Sequence, residues 1–150
     1  MTQKKQKKTI VICASAAFYK QVVEVEAELK KAGFGVAVPL TAGIMKKSGN
    51  FRVESYKTWY KNPKDYARKT FLTKHHFNKI VKGDAILVLN YEKNGVPGYI
   101  GGAVLCEMAI ALQFKKKIYV LNPIDEGCGY KEELLGMNPV FLGGDLGKMK

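Results

Sequence analysis

The chain has 150 residues, of which 47% are hydrophobic and 25% are charged, and its formal net charge is +12. This composition is typical of one globular domain and excludes a disordered chain. No stretch approaches the roughly 20 consecutive apolar residues of a membrane-spanning helix, so we expect no membrane partner.

Part of the positive charge lies at the two ends of the chain and at the ends of predicted elements, and the rest is scattered. Residues 1–8 include four lysines, and we interpret them as a basic flexible tail that precedes one domain over residues 9–150. No helix-turn-helix, zinc-finger or RNA-recognition signature is present, so we do not expect nucleic acid to be the main partner. Binding of polynucleotide through the tail stays open as a third alternative, and such binding is sensitive to salt.

Three cysteines, Cys13, Cys106 and Cys128, show no Cys-x-x-Cys spacing. An odd number of such cysteines is typical of free thiols in a reducing cytoplasm, where we expect the protein to reside. His75 and His76 lie among lysines on a predicted helix, and we interpret them as a solvated surface pair. No group of His, Cys and carboxylate residues has zinc-like spacing along the chain, so we predict neither a metal site nor a cofactor.

Apolar segments rich in β-branched residues alternate with segments of helical periodicity along the chain. A strand over residues 9–14 leads to an amphipathic helix that Gly33 ends, and a second strand covers 34–40. Residues 41–65 lack clear periodicity, which predicts a loop with a short helix near 54–60. The remaining predicted elements are a helix over 66–81, a strand over 84–90, a helix over 102–114, a strand over 118–121, a short helix over 130–135 and a short strand over 140–142.

This alternation predicts a flavodoxin- or Rossmann-like three-layer α/β sandwich with a five-stranded, mostly parallel sheet. In such sheets, ligands bind beyond the carboxyl ends of the strands, at the point where the strand order reverses. Residues 13–15, 90–102 and 122–123 follow three of the predicted strands, so we expect them to meet at that edge. The candidate ligand-binding residues in these segments are Ser15, Asn90, Tyr99, Gly101, Gly102 and Asn122.

Glu107 is the only charged residue on the predicted helix over 102–114. A carboxylate among apolar residues is costly unless it is paired or used. Glu107 lies about one to two turns from the glycines that open the helix, which places it near the open end of the sheet. The equally weighted alternative is a structural carboxylate that is bonded to a neighbouring Tyr, Lys or backbone group.

The glycines before this helix, Gly98, Gly101 and Gly102, allow the backbone to approach a ligand closely. The free N–H groups and the dipole at a helix start favour an anion such as phosphate. The spacing lacks the third glycine of the dinucleotide-binding fingerprint, and a flexible turn is the alternative. At the ends of the preceding strand, Asn90 suits either a ligand or the loop itself, whereas the position of Asp84 by itself favours a turn or a cap.

Four stretches of the sequence together resemble the nucleoside 2-deoxyribosyltransferase-like superfamily. They are GDAILVLN at 83–90, YIGG at 99–102, EMA at 107–109 and KKIYVLNP at 116–123. The resemblance is most specific from about residue 72 to 124 and extends more loosely through 9–39. It implies a flavodoxin-like parallel sheet, chemistry at an N-glycosidic bond, and at least a homodimer, because related sites borrow residues from a neighbouring subunit.

The resemblance also implies roles for individual residues. Glu107 matches a Glu that attacks the anomeric carbon of a (deoxy)ribose, and Asp84 matches an Asp that helps move a proton to the leaving base. Gly101 and Gly102 match a segment that lies against the sugar or its 5′ group. Three family features are missing. Gly101 stands where well-studied transferases have a second Asp, and the glycines that often flank the nucleophile are replaced by Ala103, Leu105 and Ala109. The first strand also lacks its aromatic donor, for which Tyr19 is the candidate substitute.

Two competing functions follow from these observations. The first is a transferase or hydrolase that acts on a nucleoside or nucleoside 5′-monophosphate through a covalent intermediate on Glu107, with the two-step logic of retaining glycosidases. The second is a non-catalytic nucleotide-binding module of the same fold, which the missing second Asp favours. Both functions take a nucleoside or nucleotide as the partner, and neither requires a metal or a cofactor.

Overall fold

The computed structural model describes residues 6–149, which include a sheet of five parallel strands in the order β2-β1-β3-β4-β5. The strands are β1 (Thr9–Cys13), β2 (Gly35–Ala37), β3 (Ala85–Val88), β4 (Lys117–Val120) and β5 (Val140–Phe141). Of the predicted basic tail, residues 1–5 lie outside the described part, and residues 6–8 are exposed and form neither helix nor strand.

In the described part of the chain, five α-helices accompany the strands: α1 (Tyr19–Lys31), α2 (Leu40–Ser48), α3 (Tyr66–Lys82), α4 (Gly102–Gln113) and α5 (Lys131–Gly136). Single turns of 3₁₀-helix lie at Ala16–Phe18, Val53–Ser55, Pro63–Asp65 and Leu146–Lys148. Within residues 6–149, no helix combines the length and the apolar character that crossing a membrane requires.

Helices cover both faces of the sheet, because the strands are apolar on both sides. Along β1, Ile10 and Ile12 pack in the hydrophobic cluster that includes α1, whereas Val11 and Cys13 pack in the cluster that includes α3, α4 and α5. The predicted three-layer α/β sandwich with a five-stranded sheet is confirmed, and every strand pair in it is parallel.

The strand order reverses at β1, which lies between β2 and β3. The chain passes from β1 outward to β2 and then returns to the other side of β1 as β3. Backbone bonds continue beyond the strand ends: Leu89 N donates to Cys13 O at 3.0 Å, and Leu121 N donates to Val88 O at 3.0 Å. The segments that follow β1, β3 and β4 therefore emerge side by side at the edge where ligands bind in such folds.

The main difference from the predicted elements is α2, which occupies part of the segment predicted as a loop. Pro39 precedes the first turn with φ −55°, and Gly49 ends the helix with φ 74° while donating to Met45 O at 2.8 Å. Only Ala42 and Met45 of α2 are buried, so the helix has little of the apolar periodicity that reveals helices in a sequence. The short helix predicted near 54–60 is the single turn Val53–Ser55.

Candidate active site

Three side chains of different chemistry meet at the carboxyl end of β1. Cys13 Sγ lies 3.5 Å from His76 Nε2, and the same nitrogen lies 4.0 Å from Glu107 Oε1. Cys13 is fully buried, whereas Glu107 keeps 14% of its side-chain exposure. A thiol, an imidazole and a carboxyl group thus form one cluster beside the point where the strand order reverses.

Each member of this cluster is held by a different element. Cys13 ends β1 with its side chain on the face that α3 and α4 cover. His76 lies one turn before the buried Ile80 on α3, and Glu107 lies one turn after the buried Val104 on α4. Because residues three or four apart share a helix face, both side chains point toward the sheet.

His76 is 5% exposed, and its Nδ1 atom has no hydrogen-bond partner within the described residues. The prediction of a solvated histidine pair is therefore wrong for this residue. His75 differs, since its ring stacks on Phe71 with the ring centroids 5.5 Å apart. Burial, followed by the charge of Lys79, lowers the pKa of His76 to about 4, so its imidazole is neutral at pH 7.

Glu107 is mostly a neutral carboxylic acid at pH 7. Burial raises its pKa to about 8, although the Cys13 thiol, as a hydrogen-bond donor, and the Lys69 charge act in the opposite direction. The carboxyl group of Glu107 in turn adds to burial in raising the pKa of Cys13 above its ordinary value. The cluster is therefore a buried group of uncharged side chains. Removing the proton from Glu107 gives the cluster a negative charge.

The raised pKa of Glu107 predicts that the protein loses stability as the pH rises. The folded state keeps this proton up to about pH 8, whereas the ordinary pKa of a glutamate is 4.5. His76 acts with the opposite sign. Its folded pKa of about 4 lies below the ordinary 6.5, so it adds stability as the pH rises, and little of this gain remains above pH 6.5. Between pH 6.5 and 8 the loss from Glu107 outweighs this remaining gain, and we expect the free energy of unfolding to fall by about 1–2 kcal/mol.

Urea unfolding of the full chain in EDTA, at pH 6.5 and pH 8, measures this change. Glu107→Gln has no proton to lose and is the matched control, so its stability should differ less between the two conditions. The groups that face Glu107 are Cys13, Tyr19, His76 and Lys69, and they remain in both proteins. An equally steep decline in Glu107→Gln would show that another group titrates.

Tyr19, at the first position of α1, belongs to the same site. Burial raises the pKa of its hydroxyl, and the neighbouring Glu107 and Cys13 raise it further. The hydroxyl therefore stays protonated and is available as a hydrogen-bond donor. Tyr19, the substitute donor proposed from the sequence, thus has its aromatic hydroxyl near Glu107. This hydroxyl comes from α1, whereas the family's donor comes from the first strand.

Asn90 and Asn122 form a reciprocal pair of amide contacts between the ends of β3 and β4. Asn90 Nδ2 donates to Asn122 O at 2.8 Å, and Asn122 N donates to Asn90 Oδ1 at 2.9 Å. Asn122 Nδ2 also donates to Asn90 O at 3.0 Å. Asn90 is fully buried. The sequence left open whether Asn90 binds a ligand or the loop, and the structure favours binding to the loop.

The predicted glycine loop and Ser15 do come together at this edge. Lys93 Nζ donates to Ser15 Oγ at 3.2 Å and lies 4.8 Å from the centroid of the Tyr99 ring. Gly101 is the N-cap residue of α4, and Gly102 is its exposed first residue, with open space where a Cβ atom would stand. The N-terminus of α4 therefore opens beside Ser15 and Tyr99, as the strand rule predicts.

Asp84 does not join this cluster, which corrects its predicted role as proton donor beside Glu107. It precedes β3, and a strand of four residues, about 13 Å long, separates it from the carboxyl edge. Asp84 Oδ2 accepts a hydrogen bond from Thr9 N at 2.7 Å, and the residue lines a different cavity together with Lys8 and Lys117. Its position is that of a residue that fixes the start of two strands.

Three lysines from separate segments add positive charge around the candidate site. Burial, followed by the charges of Lys69 and Lys93, lowers the pKa of Lys57, and the Lys69 charge also acts on Glu107. Within residues 6–149, none of the three forms a salt bridge with a carboxylate. The sequence gives no periodic signal for this group, because its members lie on a loop, on α3 and on the segment after β3.

Neither the protein-family models nor the curated proteins provide a match to this chain. The resemblance to the nucleoside 2-deoxyribosyltransferase-like superfamily accordingly stays a prediction from the sequence motifs.

Proposed function

We propose that the protein transfers or hydrolyses the N-glycosidic bond of a nucleoside or nucleoside 5′-monophosphate, with Glu107 as the nucleophile. The observation that carries this proposal is the position of Glu107, a partly accessible carboxyl group beside the carboxyl end of β1. In open parallel sheets this edge is the usual ligand site. The motifs that resemble the deoxyribosyltransferase-like superfamily supply the reaction class.

In the proposed reaction, the ionised carboxylate of Glu107 attacks the anomeric carbon while the bond from that carbon to the base breaks. The base leaves with the electron pair and takes up a proton from solvent, and water or a second base then displaces Glu107 from the sugar. Tyr19 provides a protonated hydroxyl next to Glu107 for a hydrogen bond to the substrate. Asp84 has no part in this step, because it lies at the opposite edge of the sheet.

Ionisation of Glu107 is the demanding part of this proposal. With a pKa of about 8, Glu107 is ionised in about a tenth of the molecules at pH 7. The Cys13 thiol and the Lys69 charge favour the ionised form that attacks.

A non-catalytic nucleotide-binding module is the second candidate, and the raised pKa of Glu107 is the observation that favours it. A neutral carboxyl group donates and accepts hydrogen bonds without attacking a sugar. Such a module would bind the nucleotide at the same edge of the sheet and release no base.

The three lysines favour a 5′-monophosphate over an uncharged nucleoside. Lys57, Lys69 and Lys93 carry positive charge that no described carboxylate neutralises through a salt bridge. Lys93 contacts Ser15 and Tyr99 beside the N-terminus of α4, which also favours an anion. In this proposal the phosphate lies between that helix start and the lysines.

Lys93→Gln should weaken the use of a monophosphate selectively. A charge-assisted hydrogen bond contributes about 1.5–3 kcal/mol, so we expect the KM for the monophosphate to rise about tenfold or more. The KM for the matching nucleoside should change much less. Steady-state base release with both substrates measures the difference, and Lys74→Gln, an exposed lysine on α3, is the control. Equal effects on both substrates would argue against a phosphate contact by Lys93.

The experiment that tests the proposed function is a substrate panel. The full chain is incubated in EDTA with ribo- and deoxyribonucleosides and their 5′-monophosphates, and released base is separated by chromatography. A second free base is added in parallel, so that transfer produces a new nucleoside. Base release supports the proposal. Saturable nucleotide binding without release contradicts the enzyme and leaves the binding module.

A further inference from the structure

The cluster at the end of β1 has the composition of a transition-metal site. Cys13, His76 and Glu107 each present one ligand-type atom, and these atoms lie within 4.8 Å of one another. Thiolate sulfur, imidazole nitrogen and carboxylate oxygen are the three ligand types that zinc uses in proteins. The residues come from β1, α3 and α4, so their spacing along the chain does not resemble that of a zinc motif.

One of the distances between these ligand atoms already matches tetrahedral zinc coordination. Zinc bonds of about 2.3 Å to sulfur and about 2.0 Å to nitrogen place those two ligand atoms about 3.5 Å apart. Cys13 Sγ and His76 Nε2 are separated by 3.5 Å. A zinc-bound nitrogen and oxygen lie about 3.3 Å apart, so the 4.0 Å between His76 Nε2 and Glu107 Oε1 has to shorten by less than 1 Å.

We propose that Cys13, His76 and Glu107 bind one zinc ion, with the fourth coordination position left to water. The Cys13 thiol and the Glu107 carboxyl group release their protons to solvent when they coordinate the ion. Three protein ligands and one exchangeable position are the pattern of an accessible zinc site. Glu107 is the ligand that opens to solvent, with 14% of its side chain exposed, whereas the other two are buried. The thiol and the imidazole are both buried, so we expect the more accessible Glu107 side chain to make the larger movement for coordination.

Zinc binding has a consequence for the same carboxyl group. A carboxylate that coordinates zinc shares its negative charge with the cation, so it is a weaker nucleophile toward the anomeric carbon. We therefore expect zinc to inhibit base release where the glycosidic reaction occurs. The zinc site itself does not depend on the proposed function, since binding is measured without any nucleoside.

Cobalt replaces zinc in the test, because its coordination is visible in the absorption spectrum. Untagged full-length protein, stripped with EDTA and dialysed, is titrated with cobalt chloride in a Cys106→Ser, Cys128→Ser background. This background leaves Cys13 as the only thiol of the chain. We expect one cobalt per chain, a thiolate-to-cobalt charge-transfer band, strong visible bands of tetrahedral cobalt, and loss of all three on adding zinc chloride.

Variants of the three ligands separate this site from adventitious binding. His76→Gln and Glu107→Gln should each weaken zinc binding at least about 100-fold, and Cys13→Ser should remove the charge-transfer band. His75→Gln, the neighbouring histidine outside the cluster, should bind zinc like the parent. Circular dichroism shows which variants fold, and Glu107→Gln, at the most accessible of the three positions, keeps the test decisive if Cys13→Ser does not fold.

Two results would overturn the zinc site. The first is a cobalt spectrum without a thiolate band in the background protein, and the second is zinc affinity that Glu107→Gln and His76→Gln leave unchanged. The test of the proposed function is run in EDTA, so its failure leaves the zinc result standing. Conversely, a protein that releases base but binds no zinc refutes only the metal site.

Discussion

Glu107→Gln should reduce kcat/KM for base release by at least about 10³-fold while leaving the protein folded. The amide has the shape of the carboxyl group and keeps its hydrogen-bonding capacity, but it cannot form the glycosyl ester that the proposed reaction requires. Because Glu107 is mostly neutral in the fold, replacing it by a neutral amide introduces no new buried charge. Chromatographic measurement of released base, with the best substrate of the panel, tests this result.

Glu132→Gln is the matched control for this substitution. Glu132 lies in the first turn of α5, is exposed, and is far along the chain from the cluster. We expect its base release to remain within about twofold of the parent, since surface substitutions of this kind change little. Activity that survives in Glu107→Gln would refute Glu107 as the nucleophile and move the chemistry to another group.

Gly98→Ala should lower the free energy of unfolding by about 2–3 kcal/mol, through left-handed backbone strain and overpacking. Gly98 has φ 60°, and a Cβ atom there would stand 1.9 Å from Pro123 O. That oxygen belongs to the backbone, so it cannot move aside as the end of a side chain can. The loop between β3 and α4 has to shift as a result, and urea unfolding measures the loss.

Gly95→Ala separates the two causes in the same loop. Gly95 also has a positive φ, 79°, but a Cβ atom there meets nothing within 4 Å. This control therefore carries the backbone strain alone, which costs about 1–2 kcal/mol. If both variants lose the same stability, the contact with Pro123 O contributes nothing and the tight packing of this loop is disproved.

The fold could be predicted because its signals are local. Buried parallel strands are apolar on both faces, and β1 and β3 are such segments. Helix α2 was missed because its ends are set by Pro39 and Gly49, while few of its side chains are buried. The topology then placed Ser15, Tyr99 and Glu107 at one edge of the sheet, since strand ends determine where loops meet.

The composition of the candidate site was harder to predict. His76 and Ile80 are four residues apart, so the buried face of α3 was already visible in the sequence, but the adjacent His75 and several lysines suggested a solvated surface. Cys13 gave no signal, because one cysteine in an apolar strand resembles any core residue. Strand direction alone places Asp84 at the amino edge, and the family resemblance led to its assignment beside Glu107.

The paired amides of Asn90 and Asn122 have a consequence for ligand affinity. Three hydrogen bonds, from 2.8 to 3.0 Å, join the chain just after β3 to the chain just after β4. This side of the crevice is therefore preorganised before any ligand arrives. A ligand that binds against it loses little conformational entropy there, so more of its contact energy appears as affinity.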